Sequence, residues 1–185
     1  MKKLLLTALL LCTAAAFAQQ PAPKPPANGG EVIDRQFTTV EKEFVPAVEA
    51  MPADKMDFAP TTGEFKGVRT FAQQAKHVAA VNYMIGASLL GEKPPLDTNG
   101  EKGPDDLKTK DQIVKFVKDS FAYAHKGIAT MNEKNLVEMI DGPFGGKSSR
   151  LGAANILTWH GMDHYGQMVV YLRMNGIIPP ASRQQ

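Results

Sequence analysis

Residues 148–180 read SSRLGAANILTWHGMDHYGQMVVYLRMNGIIPP. Two serines open this stretch, and Gly176 with Pro179–Pro180 closes it, as a helix start and stop would. Between them Ala153, Leu157, Met168, Tyr171 and Met174 fall on one stripe at helical spacing. The spacing predicts one long helix ending at Asn175. His160 and His164 are four residues apart in the middle of that stripe, so both imidazoles point inward, one above the other.

Three further helical patterns precede it. Phe37, Val40, Phe44, Val48 and Met51 step by three and four across residues 32–51, with Pro46 predicting a kink or a restarted turn. Residues 70–90 form a second helix, closed by Gly91, whose inner face carries Gln74, His77, Val81 and Met84. Thr109 with Gln112 marks the start of a third. Ile113, Phe116, Val117, Ser120, Phe121, Ala124, Ile128 and Met131 fill its apolar side. A short helical turn at 133–139 and a GPFGG loop at 142–146 lead into the last helix. No segment sustains a period of two, so the fold class is all-α, a four-helix bundle. The polar connection at 92–108 is long enough to let helices two and three run parallel.

The chain's beginning reads as an address. Lys2 and Lys3, the apolar run Leu4–Leu11 and Ala16-Phe17-Ala18 make a secretory signal over residues 1–18. The apolar run is too short for a membrane span of about 20 residues. A lipidated Cys12 is disfavoured because Leu11 precedes it where a small residue is expected. Residues 19–30, QQPAPKPPANGG, read as a tether, 31–180 as the bundle and 181–185 as a tail. The expected location is therefore periplasmic or extracellular.

Composition narrows the function. Of 185 residues, 21 are basic and 19 acidic, a balance that argues against nucleic-acid binding. Removing residues 1–18 equalises the two signs and takes away the only cysteine. That excludes a thiol nucleophile, a Cys-ligated zinc site and covalent haem attachment.

Three inward histidines, His77, His160 and His164, need partners if buried. A shared divalent cation is the simplest, each ring reaching it at about 2.0–2.1 Å. The competing reading is three core histidines bonded to carbonyls. His125 sits on the flank of its helix and reads as a rim residue. Gly161 follows His160 where a zinc protease has glutamate, so that chemistry is excluded. Haem held by His77 with Met168 or His160 is a minor alternative. Gln73, Gln74, Asp163, Gln167 and Tyr171 lie near enough to orient a ligand or substrate.

His77 within FAQQAKHVAAVNYM, the later HGMDHYGQ at 160–167 and the phrase MPADKMDFAP at 51–60 resemble the DinB superfamily, the DinB/YfiT-like metalloenzymes. The resemblance implies an up-down-down-up bundle, which would explain the long crossover. It implies His77, His160 and His164 as ligands of a divalent metal, zinc or nickel before iron, with Gln167 at a recurrent position. It also implies a small-molecule substrate and a homodimer. Relatives that use small thiols such as bacillithiol or mycothiol suggest thiol-dependent transfer. An open position on three-histidine zinc points equally to hydrolysis, because bound water there is acidified to about pKa 7. A non-catalytic metal- or ligand-binding protein of the envelope is the alternative.

Overall fold

The computed structural model describes residues 24–183. The expected signal sequence and the first part of the expected tether lie outside the described residues. Four helices carry the fold: α1 (Gly29–Ala50), α2 (Phe71–Leu90), α3 (Lys110–Ile128) and α4 (Arg150–Met174). One-turn 3-10 helices at Ala53–Lys55 and Pro180–Ser182 and a small hairpin, β1 (Met139–Asp141) and β2 (Lys147–Ser149), complete the fold.

Each helix begins on a side-chain cap. Asn28, Thr70, Thr109 and Ser149 accept from Glu31, Gln73, Gln112 and Gly152 N–H groups, which would otherwise lack partners. Thr70 and Thr109 close full capping boxes with Gln73 and Gln112. The α1 stripe of Phe37, Val40, Phe44, Val48 and Met51 is buried throughout. Phe37 and Phe44 both pack on Phe121 of α3, with ring centroids 4.9 and 5.9 Å apart. A fully buried side chain of this size contributes about 1.5–3 kcal/mol.

Helix directions follow from paired contacts. Asn82 meets Ser120, Gly86 lies against Ala124, and Gly127 against Leu89. Both sequence numbers rise together, so α2 and α3 are parallel. A Cβ on Gly86 would lie 2.8 Å from the Tyr123 ring, and one on Gly127 would lie 2.9 Å from the Gly86 carbonyl, so glycine is what lets these helices approach. Gln74 meets Gln167 while His77 meets His160, so α2 and α4 are antiparallel. Asp34 meets His125 while Glu49 meets Lys118, so α1 and α3 are antiparallel too. The order is up-down-down-up, and residues 91–109 are the crossover that permits it.

The structure departs from the sequence reading in several places. Gly29 and Gly30 belong to the first turn of α1, not to a tether. A Cβ on Gly30 would sit 2.6 Å from the Met131 carbonyl, and the Asn28 cap starts the helix before them. Pro46 lies inside α1 without a restart. Residues 133–137 are non-helical turns, and the expected turn runs on into β1. β1 pairs antiparallel with β2 around the GPFGG turn, where Gly145 and Gly146 have φ of 90° and 72°. Three-residue strands are too short to show alternation. Met174, expected on the inner stripe, is 50% exposed. Ala181 and Ser182, expected in a tail, belong to the last 3-10 turn, which lies against α1. No helix among the described residues is long and apolar enough to cross a membrane.

Candidate metal centre

The site is assembled where α2 and α4 cross. The segment ahead of α2 sets that helix in place: Phe71 N–H donates to Phe58 O and Ala72 N–H to Met56 O. Met51 and Met56 from the same segment are buried. The phrase at 51–60 is thus the anchor of the helix that bears His77. On α4, Gly161 lies between the two histidines. A Cβ there would come within 2.6 Å of Val40 Cγ1, which is why the residue after His160 is glycine.

His77, His160 and His164 come together, one ring nitrogen of each lying within 4.8 Å of the others. The Nε2 atoms of His160 and His77 are 3.0 Å apart. Two nitrogens on one tetrahedral ion at 2.0–2.1 Å would lie about 3.3 Å apart. The same closeness leaves no room for a haem iron with these two nitrogens on opposite faces.

The protonation pattern follows from the partners. His77 Nδ1 lies 2.6 Å from Glu101 O. A carbonyl only accepts, so Nδ1 carries the proton and Nε2 keeps a lone pair. A chain of hydrogen bonds fixes His164. The Asp163 carboxylate accepts from Gln167 Nε2 at 3.0 Å. Gln167 Oε1 accepts from Gln74 Nε2 at 2.8 Å, and Gln74 Oε1 accepts from His164 Nδ1. Because a carboxylate cannot donate, both amides and the ring have one consistent orientation. His164 Nε2 is therefore bare as well. His160 Nδ1 is buried with no hydrogen-bond partner, a cost that a polar group bears only for a reason.

Burial, with the neighbouring imidazoles and Arg69 adding to it, pushes His160 down to about 3. Burial likewise brings His164 down to about 4, helped by His77 and Arg69. His77 is lowered too, chiefly by burial and partly opposed by its bond to Glu101 O. All three rings are neutral at neutral pH, the form that binds metal. Two rings with bare Nε2 atoms, and mutual spacing near that of a shared ion, fit a divalent cation. The three histidines can hold a metal ion.

The other expected site residues divide. Gln74 and Gln167 orient His164 as described. Asp163 is exposed at the outer end of that chain, not on the imidazoles. Gln73 is exposed and spends its side-chain oxygen on the Thr70 cap. Tyr171 does not donate toward the histidines; its hydroxyl donates to Arg69 O at 3.1 Å. His125 lies away from the site, Nδ1 2.6 Å from Asp34 and Nε2 3.2 Å from Glu41.

Sequence reasoning missed Arg69, Lys76 and Lys102. They line a cleft of about 540 Å³ that also includes Gln74 and Gln167, with Asp105 its acidic member. Arg69 and Lys102 lie in loops and Lys76 is a single lysine on α2, so none carries a spacing signal. Nor does the Glu101 carbonyl, which is backbone.

A solved structure, a DinB-like protein from Bacillus cereus ATCC 10987, is similar in fold. Its TM-score is 0.65 at 18% identity, covering 81% of this chain and 95% of that one. No curated protein matches. The family model described as DinB superfamily matches residues 36–168, from the second turn of α1 into α4. The chain therefore belongs to the DinB superfamily.

Proposed function

We propose that this chain is an exported metal-dependent enzyme, a hydrolase or a small-thiol-dependent transferase acting on a small molecule. The observation that carries the proposal is the protonation pattern: His77 and His164 are each held by a second group that leaves Nε2 bare, with ring nitrogens of all three histidines within 4.8 Å of one another. Groups that orient a ligand ring in this way belong to metal sites. His77, His160 and His164 would hold zinc or nickel, with iron the third choice. A divalent ion bound by three neutral imidazoles supplies Lewis acidity at a position the protein leaves open.

The protein's own groups then have distinct tasks. Glu101 O and Gln74 hold two rings in one tautomer. Tyr171 anchors the backbone of Arg69. Arg69, Lys76 and Lys102 give the adjacent cleft a positive lining, which favours substrates with a carboxylate, a phosphate or a thiolate. The export assignment rests on the signal-like residues 1–18. A homodimer is supported by the outer face of α4, where Trp159, Met162 and Val170 are 56%, 40% and 52% exposed.

One observation favours a second reading, a non-catalytic metal- or ligand-binding protein. Asp163, the one nearby carboxylate on α4, is engaged with Gln167 at the surface. Metal analysis of untagged protein, followed by ester, amide and epoxide panels with and without added thiols, tests both. Turnover that disappears on chelation supports the enzyme. Stoichiometric metal with no turnover in any panel supports the binding protein, and protein that takes up no metal defeats both.

A further inference from the structure

A groove lies at the other end of the bundle. It runs between the C-terminal turns of α2 and the hairpin, with a volume of about 720 Å³. Ser88 Oγ donates to Asp141 O and ties the hairpin over that helix end. Ser88 is eleven residues beyond His77, about 16 Å along α2, so the groove is separate from the histidines.

Arg150, the first residue of α4, lines this groove and is 92% buried, with 8% of its surface exposed. Its guanidinium donates through Nη2 to Thr130 Oγ1. Its Nε is buried and has no partner. No carboxylate among the described residues lies within 4 Å of it. Buried cations are ordinarily paired, because an unpaired charge keeps its desolvation cost uncompensated. The carboxylates that share the groove are mostly engaged. Asp141 holds Lys147 at 2.6 Å, and Glu92 accepts from the Tyr123 hydroxyl at 2.6 Å. Glu138 remains, exposed and unpaired. Apolar side chains, Met84, Leu90 and Ile140, line the groove together with Lys93 and Lys147. A groove of this volume, with apolar side chains beside a buried guanidinium whose Nε lacks a partner, suits a small organic ligand.

We propose that the groove is a binding site for a small amphipathic carboxylate, its acid group paired with Arg150 and its apolar body against Met84, Leu90 and Ile140. A guanidinium suits a carboxylate through parallel N–H donors. The apolar side chains Met84, Leu90 and Ile140 give an acyl or aryl acid a contact that inorganic phosphate lacks.

Octanoate, with octanol and octylamine as uncharged and cationic counterparts, tests this on the full chain. Titration is followed by calorimetry and by the backbone amide shifts of residues 139–149. Octanoate is expected to move the hairpin amides and to bind at least tenfold more tightly than octanol, with octylamine silent. Binding is expected to be the same in metal-loaded and chelator-treated protein. Arg150→Met is expected to abolish it. Glu138→Gln, which removes the groove's unengaged carboxylate, is expected to tighten it. If Arg150→Met does not fold, Met139→Glu at the exposed rim serves instead and is expected to weaken binding by charge repulsion. Equal affinity for octanol would overturn the proposal. So would dependence on metal, or retention of full affinity in Arg150→Met or, where that variant does not fold, in Met139→Glu.

Discussion

Two histidines of the centre are set by different neighbours and the third is not. A backbone carbonyl holds His77, a chain of two amides ending on Asp163 holds His164, and nothing holds the Nδ1 of His160. His77→Ala is expected to lose most metal occupancy, and His125→Ala to lose none, by metal analysis after dialysis. Equal retention in both would mean that the ligands lie elsewhere. Gln74→Ala leaves all three rings in place and removes one support, so a loss of about 10–100-fold in metal affinity is expected. Acidity acts on the same rings. An unfolded histidine takes up a proton near 6.5, whereas folded His160 resists down to about 3 and His164 to about 4. The unfolded state binds more protons in that range, so stability of metal-free protein falls as pH drops below about 6.5. Melting temperatures between pH 7 and pH 5 should show the decline, and His160→Gln should flatten it. An unchanged slope in that variant would assign the decline to other groups.

Among the helices, the α1–α4 contact is set by Gly161 against Val40. Gly161→Ala adds a methyl where the nearest atom would be 2.6 Å away. A loss of about 1–3 kcal/mol in chemical denaturation is expected from overpacking, and Val40→Ala should recover much of it. If the two losses simply add, the contact is not what limits this position. Much of this was legible beforehand. Apolar positions every three or four residues gave all four helices, and the threonine–glutamine pair at 109–112 gave one start within a residue. The hairpin was not legible, since three-residue strands held by a glycine turn leave no periodic trace. Nor was the start of α1, where Gly29 and Gly30 read as tether until Leu136 and Met131 are seen packed against them. For the site, the inward direction of three histidines was readable from helix geometry. The fates of Gln73 and Tyr171 were not, because a cap and a loop carbonyl compete for their polar atoms.

At the scale of the whole molecule, α4 is apolar on both sides. Its inner face meets α1 and α2, while Trp159, Met162 and Val170 look outward. An outward apolar patch on a surface helix is ordinarily covered, and a second copy is the occupant proposed above. Val170→Glu is expected to convert a dimer to a monomer by light scattering after size exclusion, with the helical signal unchanged. A wild-type chain that is monomeric at high concentration would end that reading.

The long crossover between the parallel helices rests on the centre it passes. Glu101 O lies against His77 Nδ1 and Pro104 O accepts from Lys76, so one side of the strap is pinned to an imidazole. Whatever immobilises that imidazole also shields the strap, and the peptide bond after Lys102 becomes a built-in gauge. Trypsin should nick it more slowly when the protein is loaded with zinc than when it has been stripped, so a gel lane reports occupancy without any substrate being known.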